Sequence, residues 1–98
     1  MKITTKSGFK CSINENLVKD WRYVTATAKM AKSGDDVEII NALNFCLNFL
    51  LGEEQANKLI EHLSKKGGVA DVNSVTEEYK EITGYLGEQL KKSQSLQE

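Results

Sequence analysis

The chain has 98 residues with no proline, 40% hydrophobic and 28% charged residues, and 13 Lys+Arg against 14 Asp+Glu. That length supports one compact domain with a single core and modest stability, so a second domain is not expected and self-association is a natural source of extra stability. A net charge of −1 gives no general attraction to nucleic acid or to an anionic membrane.

With proline absent, glycine punctuates the chain. Residues 2–14 alternate on either side of Ser7-Gly8, with Ile3 and Thr5 before the turn and Phe9, Cys11 and Ile13 after it, which predicts a β-hairpin with one apolar face. Asn14 or Asn16 then caps an amphipathic helix whose apolar positions are Leu17, Trp21, Val24, Ala28 and Ala31, ending near Lys32 with Gly34 beyond it. Asp35 and Asp36 open a second helix in which Val37, Ile39, Ile40, Leu43, Phe45, Cys46, Leu47, Phe49, Leu50 and Leu51 cover nearly the whole circumference, so it is expected to be central or covered by a partner.

Gly52 ends that helix, and Glu53-Glu54 begin a third with Ala56, Leu59, Ile60 and Leu63 as its apolar stripe. After Gly67-Gly68, Val69 and Val72 read as an extended connector, and Ser74-Val75-Thr76-Glu77 matches a capping box. The last helix carries Val75, Tyr79, Ile82, Leu86 and Leu90 on one face; Gly84 and Gly87 each weaken it by about 1 kcal/mol relative to Ala. The expected fold is mainly α (α+β), an N-terminal β-hairpin packed on a bundle of about four helices. One domain spans 1–92, with the hairpin at about 2–14 and a frayed tail at 93–98.

The near-neutral total hides an uneven distribution. Residues 1–34 hold seven Lys/Arg and two acids, a net +5, whereas the remainder holds six Lys and twelve acids, a net −6. If the two parts form different surfaces the molecule is dipolar and favours head-to-tail contacts between copies; if they interleave, the dipole vanishes.

Catalytic and metal chemistry find little support. His62 has no Ser or Cys nucleophile at an obvious spacing and reads as a surface or boundary residue. Cys11 and Cys46 form no CxxC and read as small core hydrophobes, and a metal site would need both to converge with His62 and a carboxylate. An EF-hand loop begun at Ser64 would place Lys66, Gly68 and Val75 where oxygen ligands are required. No glycine pattern matches a phosphate or dinucleotide loop. No enzyme activity, catalytic residue, metal or cofactor is therefore expected. Nor is a membrane partner or anchor, since no apolar run reaches the ~18 residues of a bilayer span and Met1–Lys6 lacks a signal-peptide core; a cytoplasmic protein is expected. Nucleic-acid binding is not expected either, because no basic helical face accompanies the cationic first third. What remains is apolar surface. Trp21, with Phe45 and Phe49 four apart on one helix face, is the candidate protein-binding patch.

The order of segments is familiar: Thr5-Lys6-Ser7-Gly8-Phe9-Lys10, then Asn14-Glu15-Asn16-Leu17 and Asp20-Trp21-Arg22, an apolar helix ending Phe49-Leu50-Leu51-Gly52-Glu53-Glu54-Gln55, a helix closing at Gly67-Gly68-Val69, and Ser74-Val75-Thr76-Glu77-Glu78 with Glu81-Ile82. From about residue 3 to residue 86 this resembles the small tail assembly chaperones of siphophages and prophages of Gram-positive bacteria. The resemblance implies a non-enzymatic assembly factor that binds the tape measure protein, shields its hydrophobic helical stretches until tail tube subunits polymerise around it, self-associates as a homo-oligomer, and is left out of the mature virion. Many members of that family are also made in a longer form by ribosomal frameshifting near the end of the first reading frame, and Lys91-Lys92 is the candidate slippery run here. The competing expectations are a small phage regulatory protein binding nucleic acid or a host factor, and a structural tail or head-completion protein.

Overall fold

The computed structural model describes the backbone of residues 1–65 and 67–97 and the side chains of residues 1–65 and 67–88; the expected tail at 93–98 and Leu90 fall outside the described side chains. The elements in order are β1 (Lys2–Thr4), β2 (Lys10–Ser12), a 3-10 turn (Glu15–Lys19), α1 (Trp21–Lys32), α2 (Asp36–Ser64) and α3 (Val72–Gln97). A β-hairpin packed on helices is thus the architecture, as the alternation of residues 2–14 and the helical periodicity beyond it predict.

The strands pair antiparallel with Ile3 opposite Cys11, and the ladder continues through the Met1–Ile13 and Thr5–Phe9 backbone bonds. Gly8, at φ 92°, makes the turn. Because side chains alternate across a strand, Ile3, Thr5, Phe9, Cys11 and Ile13 all enter the core while Lys2, Thr4, Lys10 and Ser12 face out.

Gly52 sits at φ 79°, ψ 158° inside α2. That region is open essentially to glycine alone, so the helix bends there into arms 36–51 and 53–64, and the three helices supply the four helical stretches that the glycine spacing predicts. The bend carries the second arm along the hairpin, where three helix side chains hold hairpin backbone groups. Gln55 Oε1 accepts the Ser12 N–H at 2.7 Å, and its Nε2 donates to the Ser12 carbonyl at 2.8 Å and to the Leu51 carbonyl, just before the bend, at 2.7 Å. His62 Nε2 donates to the Ser7 carbonyl at 2.9 Å with its ring tilted on Phe9, which fixes the Nε2–H tautomer because a carbonyl only accepts. Glu81 of α3 accepts the Lys6 N–H at 2.8 Å.

The first helix departs from expectation. Asn14 caps only the 3-10 turn, and Asp20, in extended conformation, starts α1 afresh by accepting the Arg22 N–H. This break resets the helical phase. The stripe Trp21/Val24/Ala28/Ala31 therefore faces outward, and Tyr23 with half-buried Ala26, Thr27 and Met30 faces the core. Leu17 alone of the expected stripe packs on the core. The reason is the Tyr23 hydroxyl, which shares a buried 3.1 Å hydrogen bond with that of Tyr79 and turns α1 toward α3.

Two smaller corrections follow from hydrogen bonding and helical phase. α3 begins at Val72, not at a Ser74 capping box, because Asp71 accepts from both the N–H and the hydroxyl of Ser74. Those two bonds hold the Asp71 carboxyl below its ordinary range. Ile60 lies outside the second-arm stripe, exposed, while Leu59 and Ala56 are buried. The centre of the core is Cys46, Leu59, Ile82 and Leu86.

Gly52→Ala, forced into a conformation that side chains avoid, is expected to lower unfolding stability by about 1–3 kcal/mol in urea titrations followed by circular dichroism. Gly34→Ala, with open space around it and no left-handed φ, should change stability by less than about 1 kcal/mol.

Candidate partner-binding surface

α1 runs back along the first arm of α2. Tyr23 stacks with Phe49 at 6.4 Å between centroids at one end, and Ser33 donates its hydroxyl to Glu38 at the other. Both helices offer stripes at i, i+3, i+4, i+7 along this seam: Arg22, Thr25, Ala26 and Lys29 from α1, and Glu38, Asn41, Ala42 and Phe45 from α2. Alanines at the middle of both stripes leave a trough of about 620 Å³.

Of the three residues singled out by sequence, the structure brings two together. Phe45 and Phe49 stack at 5.6 Å, 18° from parallel. Phe49 is the backing of this pair: Tyr23 lies on it, and the Arg22 guanidinium sits 5.1 Å from its ring centre. Asp20 orients that guanidinium through two 3.1 Å contacts, to Nε and to the terminal nitrogen. The same hydrogen bonds hold the Asp20 carboxyl below its usual range and raise Arg22. Phe45 is 41% exposed and Trp21 78% exposed. Trp21 stacks on neither phenylalanine and lies on the outer side of α1.

Sequence reasoning missed Val24, Val37 and Ile40, which are also exposed on these two helices. Their outward position depends on the phase reset at Asp20 and on α2 burying only one side. Helical spacing alone, read on 22–29 and 38–45, would have marked the trough once the two helices were known to be antiparallel.

A second depression, about 700 Å³, lies between the hairpin turn and α3 and includes Ser74, Glu77, Glu78 and Glu81. Glu78 is 6% exposed, and its buried Oε2 has no hydrogen-bond partner. Burial first, and the Glu78 charge second, push the Cys11 thiol up; burial does the same to Cys46. Both cysteines are unpaired and buried, environments that disfavour the reactive thiolate. Burial, then the hydrogen bond with Tyr23, raises Tyr79 well above the ordinary tyrosine range. His62 serves the hairpin turn and reaches neither cysteine through a hydrogen bond. Among the described residues no group of three or more His, Cys, Asp or Glu is placed to hold a metal ion, and no described helix is long and apolar enough to cross a membrane.

Burial separates the roles of the aromatic residues. Trp21→Ala should shift stability by less than about 0.5 kcal/mol, whereas Phe49→Ala should cost about 2 kcal/mol or more in denaturant titrations followed by circular dichroism. Glu78→Met removes a buried oxygen that lacks a partner, and the urea midpoint should rise by the equivalent of about 1 kcal/mol. Comparison of the chain with family models, curated proteins and solved structures returns no match.

Proposed function

We propose that this protein is a non-catalytic assembly chaperone of a siphophage tail, which holds the tape measure protein until tail tube subunits polymerise around it. One observation carries the reading: α1 and the first arm of α2 leave Trp21, Val24, Val37, Ile40 and Phe45 exposed to solvent, and Phe45 lines a shallow trough between the two helices. Exposed aromatic and aliphatic side chains on rigid helices suit the capture of a client's amphipathic helices, where apolar anchors at i, i+3, i+4 and i+7 lie in a groove. The segment order from the hairpin to Glu81-Ile82, similar to that of the tail assembly chaperones, supports the tape measure protein as the client.

The rest of the proposal follows from that role. Weak contacts repeated on several copies bind an elongated client far more tightly than one contact does, so the working form is a homo-oligomer, with tail tube protein as a further partner. It acts in the cytoplasm of the bacterial host and is absent from the finished particle. Neither a cofactor nor a nucleic acid is part of this mechanism.

Co-expression with the tape measure protein of the same genome is the test. The client should move into the soluble fraction and co-purify with the protein, and Trp21→Ser with Phe45→Ser should reduce both. Equal client solubility with and without the protein, or its recovery in purified virions by mass spectrometry, overturns the reading.

A further inference from the structure

We infer that the N-terminal hairpin is a lid that lifts from α3 and the second arm of α2 while the rest of the helical body stays folded, and that the unpartnered Glu78 carboxyl beneath it favours the lifted state.

The fastenings of the two parts are separate. The helices hold one another through the Tyr23–Tyr79 hydrogen bond and through Phe49, which stacks with Tyr23 and Phe45, and none of these groups belongs to the hairpin. The hairpin is tied to the second arm and α3 by its backbone bonds to Gln55, His62 and Glu81, all at exposed positions where water replaces them on opening. Its chain connection is Asn14, in extended conformation, followed by the short 3-10 turn. The ladder from the Met1–Ile13 bonds to the Thr5–Phe9 bond lies wholly within the lid, so lifting it breaks no strand pairing.

The buried face of Ile3, Phe9, Cys11 and Ile13 keeps the lid shut, and Glu78 works against it. Glu78 lies in the depression between the hairpin turn and α3, with Lys6 and Ser7 across from it, and its charge bears on the Cys11 thiol of β2. Its Oε2 is buried without a hydrogen-bond partner. Lys6 and Lys80 line the same depression, yet the ion pairs among the described residues are Met1–Glu15, Arg22–Asp20 and Lys58–Glu54, so neither lysine is within ion-pair distance of Glu78. An unpartnered buried oxygen is a cost of the closed state alone, because water reaches it once the hairpin lifts.

The two cysteines report the two parts. Cys11 lies on β2 and Cys46 on the first arm of α2, both thiols are free, and they are 6% and 0% exposed. The full chain is alkylated with N-ethylmaleimide at urea concentrations below its unfolding transition, and peptide mass spectrometry reads the rate at each thiol relative to the same thiol in the unfolded chain. Without urea Cys11 should react at least about tenfold faster than Cys46, and its rate should rise less steeply with urea, because lifting the lid exposes less surface than unfolding the chain. Tyr23→Phe, which breaks a fastening outside the lid, should speed Cys46 and leave Cys11 unchanged. Glu78→Met should slow Cys11 about fivefold, as expected for removing an unpartnered buried oxygen. Equal rates and urea slopes for the two thiols, equal acceleration of both by Tyr23→Phe, or an unchanged Cys11 rate in Glu78→Met overturns the inference. The comparison of the two thiols in the parent chain decides the matter by itself if a variant fails to fold.

Discussion

The side-chain amide of Gln55 completes both backbone groups of Ser12 and the Leu51 carbonyl, so one residue joins the outer edge of β2 to the bend in α2. A two-stranded hairpin alone is marginal in water, and its unpaired edge is a site for unwanted strand pairing. Here the amide takes the place of a third strand at Ser12. It reaches that place only because Gly52 turns the second arm of α2, and His62 of that arm and Glu81 of α3 fasten the turn. With the hairpin held, its apolar face of Ile3, Phe9, Cys11 and Ile13 closes the core over Leu59, Ile82 and Leu86.

On the other side of the core, the Tyr23–Tyr79 hydrogen bond has a comparable influence on the surface. A buried hydroxyl without a partner is costly, and the pair satisfies both at once. Meeting Tyr79 rotates α1 so that its only fully buried side chain is Tyr23, which leaves Trp21 and Val24 in solvent. Core chemistry thus decides which residues of α1 are left on the surface. Phe49 links the two, since it packs on Tyr23 and supports both Phe45 and the Arg22 guanidinium.

Much of this was legible before the structure. The alternation around Ser7-Gly8 gives the hairpin and its inward face, Asp35 gives the start of α2, and Gly52 gives its bend, because each is a local signal with a local cause. The face of α1 was not legible: its apolar spacing fits Trp21/Val24/Ala28/Ala31, and only the distant hydroxyl of Tyr79 and the restart at Asp20 favour Tyr23. The patch was half legible for the same reason. Phe45 and Phe49 are four apart on one helix and had to be neighbours, but that Phe49 serves as support while Phe45 is exposed depends on contacts with α1. Gln55 and Glu78 gave no sign in the sequence of their positions, because a polar residue on a helix is ordinarily a solvated one.

The hairpin clamp also orders events in time. Ser12 precedes Gln55 by 43 residues and Lys6 precedes Glu81 by 75, while α1 and the first arm of α2 are joined by a few residues and meet through short loop closure. All three side chains that fasten the hairpin, Gln55, His62 and Glu81, follow the helical pair around the trough along the chain. The hairpin, made before its partners, settles only once they have formed, and until then its apolar face is itself a surface in need of cover.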